Sequence, residues 1–60
     1  MLAVEVQQHA RKLFEAHGAK AVAEAAQRAR HFEAQGAHKE AETWRRIEAA
    51  LVQLRGPRAS

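Results

Sequence analysis

The fold of this chain is decided by residues 36–54, GAHKEAETWRRIEAALVQL. The apolar residues of this stretch recur at steps of three or four, which is the spacing of one face of an α-helix: Ala37, Ala41, Trp44, Ile47, Leu51 and Leu54. Trp44 is the only tryptophan and offers the largest apolar side chain. We therefore expect an amphipathic helix here, with Trp44 at the centre of the fold and the other segments packed around it.

Two further helices are predicted before this stretch. Each has an apolar stripe at helical spacing. The first stripe consists of Leu2, Val6, Ala10, Leu13 and His17, widened by Phe14, and the second of Val22, Ala25, Ala29 and Phe32. The second stripe resembles a coiled-coil seam, in which small alanine side chains let a neighbouring backbone come close.

Glycines mark where each helix ends. Gly18, Gly36 and Gly56 follow the three periodic segments, and glycine is common just past a helix because it adopts the left-handed conformation without a steric penalty. Pro57 cannot continue the third helix, and Ala37 gives that helix no side-chain cap. We predict an all-α fold, a small antiparallel bundle of three short helices at about 2–17, 19–35 and 38–55. Residues 1–55 would form one domain, and 56–60 a disordered tail.

Three surface pairs are expected from residues four apart on a helix. Glu24 with Arg28 and Glu42 with Arg46 have the favourable order, with the acid nearer the N-terminus. Glu5 and His9 stand at the same spacing and can pair weakly. Such pairs support a helix but do not choose the fold.

The composition indicates a small domain with a thin core. The 60 residues are 47% apolar, but alanine supplies much of that fraction and buries little area. No cysteine is present, so neither a disulfide nor a thiolate zinc site can support the fold. No apolar run approaches the roughly 20 residues that span a bilayer, and the N-terminus lacks the features of a signal peptide. We expect a cytoplasmic protein with no membrane association.

Self-association is the expected support for such a core. The apolar faces are wider than one neighbour can cover, and a two-fold homodimer is the simplest closed solution. The third helix is the longest and most apolar, so its residues are the candidate interface: Trp44, Ile47, Glu48, Leu51, Val52 and Leu54. At the edge of this surface, Glu48 is expected to meet an arginine of the partner, either Arg45 or Arg28.

Catalytic and metal-binding chemistry is not expected. Thr43 and Ser60 are the only hydroxyl residues, and aspartate and tyrosine are missing altogether. No two histidines stand three or four residues apart, so none can share a metal ion from adjacent turns of one helix. We predict a non-enzymatic protein without a cofactor, whose role is protein–protein interaction or self-association with a partner that the sequence does not identify.

A nucleic-acid-binding role is the alternative. The net charge is +3, and six arginines lie in the second and third helices and the tail: Arg28, Arg30, Arg45, Arg46, Arg55 and Arg58. Those helices also carry glutamates between the arginines, whereas a DNA-reading helix shows a cleaner basic face. The alternative is therefore a weak nucleic-acid-binding protein, and the mixed charges favour an ordinary solvated surface.

A longer pattern resembles a family of short bacterial proteins of unknown function. The pattern is an HG step, an RA pair, a glycine and a W-x-R-I stretch, here His17-Gly18, Arg28-Ala29, Gly36 and Trp44 to Ile47, with Ala21, Ala25, Ala26, Ala41, Ala50 and Leu54 between and after them. It covers residues 9–54. The chain departs from the family pattern at Ala37, where an aspartate cap is expected. The resemblance implies a fold and no site.

Overall fold

The computed structural model describes residues 3–56 and consists of three helices. Helix α1 is Ala3–His17, α2 is Lys20–Ala34 and α3 is His38–Arg55, with no strand among the described residues. The predicted all-α three-helix bundle is confirmed, and the helix bounds that fall within the described residues agree with the prediction to within about one residue. Leu2 and the predicted disordered tail after Gly56 lie outside the described residues. None of the three helices is long and apolar enough to cross a membrane.

Both chain reversals depend on a glycine in the left-handed region. Gly18 has φ +63° and Gly36 has φ +76°, as the sequence predicted. At the second reversal the amide of Gly36 donates to the carbonyl of Glu33 at 3.1 Å, and the amide of Ala37 donates to that of Phe32 at 2.9 Å. These two bonds form a Schellman motif, which satisfies carbonyls at the end of α2. The second connection is residues 35–37, one residue longer than the predicted helix bounds of 19–35 and 38–55 imply.

The three helices do not contribute equally to the packing. Helices α2 and α3 share the largest interface, while α1 packs mainly against α3 and least against α2. Ala21 and Ala25 of α2 lie in one buried cluster with Ile47 and Leu51 of α3. Because alanine carries only a methyl group, α3 can approach the α2 backbone closely, as the alanine stripe predicted.

The core consists mostly of alanine. The buried apolar residues are Val6, Ala10, Ala21, Ala25, Ala29, Ala41, Ile47 and Leu51. Only Val6, Ile47 and Leu51 among them have larger side chains, each of which contributes about 1.5–3 kcal/mol when fully buried. The core is therefore thin, and a domain of this size is marginally stable.

Trp44 does not lie at the centre of the core, so that prediction is wrong. Its side chain is partly buried and packs against the core cluster from the edge, whereas Ile47 and Leu51 occupy the centre. Ala21, Ala25, Ile47 and Leu51 already occupy the centre together, and a close-packed interior has no room for an additional indole. The indole lies instead at the edge of the bundle, where it contacts both other helices.

Candidate functional site

The predicted interface of α3 is divided by the structure into core and surface. Ile47 and Leu51 have no exposed area, since they face the alanines of α2 within the same chain. They are core residues and cannot form part of an exposed interface. Periodicity alone assigned them correctly to the apolar face, but it did not show that the chain itself covers that part of the face.

Glu48 is also engaged within its own chain. Its carboxylate accepts a hydrogen bond of 3.4 Å from Arg45, which pairs in addition with Glu33 of α2 through Nη2 at 3.0 Å and Nε at 3.3 Å. The hydrogen bond to Glu33 and the charge of that carboxylate raise the pKa of Arg45, with a smaller contribution from Glu48. Arg45, which was expected to reach the glutamate of a partner, instead links α2 and α3 of one chain.

Val52 and Leu54 remain on the surface, as an interface requires. Their exposed fractions are 40% and 37%, and Val4 of α1 is 58% exposed. Scattered exposed aliphatic residues are normal on small proteins, so these residues alone do not define an interface. Trp44 is the remaining predicted residue, and it has a more specific environment.

Side chains from all three helices meet at Trp44. The His9 ring of α1 lies edge-on to the indole, with 5.3 Å between ring centroids and an interplanar angle of 64°. The Arg28 guanidinium of α2 lies over the indole, with Cζ 5.2 Å from the ring centroid. A cation at this distance is attracted by the π-system. Trp44 thus contacts side chains of both other helices while part of its surface stays in contact with solvent.

Arg28 has no carboxylate within 4.0 Å among the described residues. The predicted pair with Glu24 does not form, because the Glu24 carboxylate bonds to Nδ1 of His17 across the first turn. The predicted pair of Glu42 with Arg46 is confirmed at 3.1 Å. Arg28 therefore differs from Arg45 and Arg46, both of which are paired with glutamates.

Two neighbours of this cluster extend it along the helices. Phe32 lies one turn after Arg28 on the same face of α2, is only partly buried, and is outside the core cluster. Glu40 lies one turn before Trp44 on the same face of α3, is exposed, and has no cation within 4.0 Å among the described residues. We call Arg28, Phe32, Glu40 and Trp44 the Trp44 patch. Of these residues, sequence reasoning proposed only Trp44 as an interface residue and Arg28 as a partner contact.

A shallow groove also lies between α1 and α3. Its volume is about 260 Å³, and it is lined by Val6, Gln7, Arg46, Ala49, Ala50 and Gln53. Its floor is apolar and its rim is largely uncharged. Arg46 is the only charged residue in the lining, and it is already paired with Glu42.

Comparisons of the chain with protein-family models, curated protein sequences and solved structures found no match. The resemblance to the bacterial family therefore stays a prediction. Among residues 3–56, no three histidine or glutamate side chains are grouped closely enough to hold a metal ion. The functional interpretation accordingly rests on burial, charge and geometry.

Proposed function

We propose that this protein is a small non-enzymatic helical module that functions by self-association. The observation that carries the proposal is the poor burial of its larger apolar side chains. Val6, Ile47 and Leu51 are buried, but these others are in part exposed: Val4, Leu13, Phe14, Val22, Phe32, Trp44, Val52 and Leu54. A second copy that covers some of them would add apolar burial that the single chain lacks.

The size of the chain supports the same proposal. Its accessible surface is 4400 Å². A standard interface buries about 800 Å² on each partner, so a dimer would remove about a fifth of that surface from water. The added burial would be large relative to the alanine-rich core, and folding and association would therefore be coupled.

The nucleic-acid alternative receives less support from Arg45 and Arg46 than the sequence indicated. Binding to phosphates requires cations that are free to replace counterions. Arg45 is shared between Glu33 and Glu48, and Arg46 is paired with Glu42. These glutamates reduce the positive potential of α3, where the alternative placed part of its binding surface.

Sedimentation equilibrium and thermal melts over a wide range of protein concentration test the proposal. We expect the average mass to rise from the 6.7 kDa of one chain towards twice that value, and the melting temperature to rise with concentration. A mass of one chain at every concentration, with a melt independent of concentration, would contradict self-association. Gel shifts with duplex DNA and with RNA at low and moderate salt test the alternative, which predicts binding that falls steeply as salt is added.

A further inference from the structure

We propose that the second copy docks on the Trp44 patch through a two-fold axis, with Arg28 of each chain against Glu40 of the other. This inference rests on the proposed self-association and adds the surface by which it occurs. Three observations support it: two partly exposed aromatic residues, the two unpaired charges of the Trp44 patch, and the exposure of residues 32–40, where α2 and α3 are joined.

The aromatic residues give the patch an apolar centre. Trp44 and Phe32 both remain partly exposed although they are among the largest side chains of the protein. Tryptophan and arginine are enriched among residues that dominate binding energy, and here the guanidinium of Arg28 lies on the indole. His9 and Arg28 already contact the indole and restrict its movement, so less side-chain freedom is lost when a partner covers it.

The charges make the patch complementary to itself. Arg28 on α2 has no carboxylate partner and Glu40 on α3 has no cationic partner among the described residues, and the two are not paired with each other. In a two-fold interface, if Arg28 of one chain contacts Glu40 of the other, then Glu40 of the first chain also contacts Arg28 of the second. One unpaired arginine and one unpaired glutamate in each chain therefore give two intermolecular ion pairs in the dimer.

The end of the hairpin that carries Phe32 and Glu40 is left open by the rest of the chain, whereas Trp44 is partly covered by His9 of α1. No residue from 32 to 40 is buried. Helix α1 makes its smallest interface with α2. Its Val6 lines the α1–α3 groove together with residues from the range 49–53, which lie in the C-terminal half of α3 and away from this end of the hairpin. A second copy can therefore approach Phe32 and Glu40 without displacing α1.

The α1–α3 groove does not offer the same selectivity. Its rim consists of Gln7, Gln53 and an arginine that Glu42 already holds. An apolar floor with such a rim does not distinguish a second copy from any other apolar segment. Charge complementarity therefore favours the Trp44 patch as the docking surface.

Charge reversal in the full chain tests this proposal. Arg28→Glu and Glu40→Arg each place like charges together in a two-fold dimer, so each variant alone should associate at least tenfold more weakly than the parent chain. An equimolar mixture of the two variants should recover association. In the mixed dimer one contact joins the two introduced side chains, which have opposite charges, and the other contact joins the original Arg28 and Glu40. The double variant Arg28→Glu/Glu40→Arg should also associate more tightly than either single variant, because both of its contacts again join opposite charges.

Matched controls separate the interface from general charge effects. Arg30→Glu makes the same charge change on an exposed position of α2 two residues away, and Glu15→Arg does so on α1. Both should associate like the parent. Far-UV circular dichroism reports whether each variant stays helical, and recovery in the mixture is not explained by a folding defect of either variant.

The negative results have different meanings. If the parent associates but the single variants associate equally well, or their mixture shows no recovery, the Trp44 patch is not the interface and self-association stands. If the parent is monomeric at every concentration, both the patch and the proposed function are overturned.

Discussion

Replacement of Leu51 by alanine tests the arrangement of the core directly. Leu51 is fully buried in a cluster with Ala21 and Ala25. The substitution removes three carbon atoms, which at about 0.8 kcal/mol for each buried methylene costs about 2.4 kcal/mol. A cavity term is added, because the alanine methyl groups opposite are too short to fill the space. We therefore expect a loss of about 3–4 kcal/mol, near the middle of the range of about 2–5 kcal/mol for such changes.

Urea unfolding followed by circular dichroism at one fixed protein concentration measures this loss. The neighbouring residue Val52 is 40% exposed, so Val52→Ala serves as the control and should cost less than about 1 kcal/mol. A chain of this length has a total stability of only about 3–9 kcal/mol. If Leu51→Ala is unfolded in water, Ile47→Val provides a milder change of about 0.5–1.5 kcal/mol. Equal losses for Leu51→Ala and Val52→Ala would refute the placement of Leu51 in the core.

The remaining predictions concern the edge of the bundle and the second reversal. Trp44→Ala should cost about 2 kcal/mol, below the roughly 3–5 kcal/mol typical of a fully buried tryptophan, because the indole is only partly buried. Urea unfolding at a protein concentration at which the parent chain is monomeric measures this loss without a contribution from association. A loss equal to or above that of Leu51→Ala would then place Trp44 at the centre after all. Gly36→Ala should cost about 1–2 kcal/mol, because alanine is strained at the left-handed φ of +76°. No atom lies within 4 Å of an added Cβ, so no steric clash adds to this cost. Thermal melts measure this second loss, with Ala34→Gly at the end of the same helix as a control for helix propensity, and an unchanged melt would mean that the reversal does not need a left-handed residue.

The helices could be predicted because their signals are local. Gly18 and Gly36 interrupt the periodic pattern, and the structure places both in the left-handed region. The predicted stripe of α2 identified its buried face in part, since Ala25 and Ala29 have no exposed area but Val22 and Phe32 are only partly buried. Each of these inferences depends only on residues within a few positions of one another.

The candidate site could be predicted only in part because it depends on which faces meet. A helical wheel shows that Ile47 and Trp44 share a face. It does not show that Ile47 packs against the alanines of α2 in the core, whereas Trp44 lies at the edge. Spacing of four residues also favoured the pair of Glu24 with Arg28, whereas the folded chain brings His17 to Glu24 across a turn. The position of Arg28 on an indole of another helix has no signal in local sequence.

The alanine-rich seam between α2 and α3 also affects how the protein responds to temperature. The heat-capacity change of unfolding arises mainly from apolar surface that becomes exposed to water, at about 0.45 cal/mol/K for each Å². Methyl groups such as those of Ala21 and Ala25 expose little of it, so the stability curve should be shallow. A short chain also has a small unfolding enthalpy, about 0.7 kcal/mol per residue near 60 °C, which broadens the transition. The folded population should therefore decline gradually on heating, and the loss of helix would extend over a wide range of temperature.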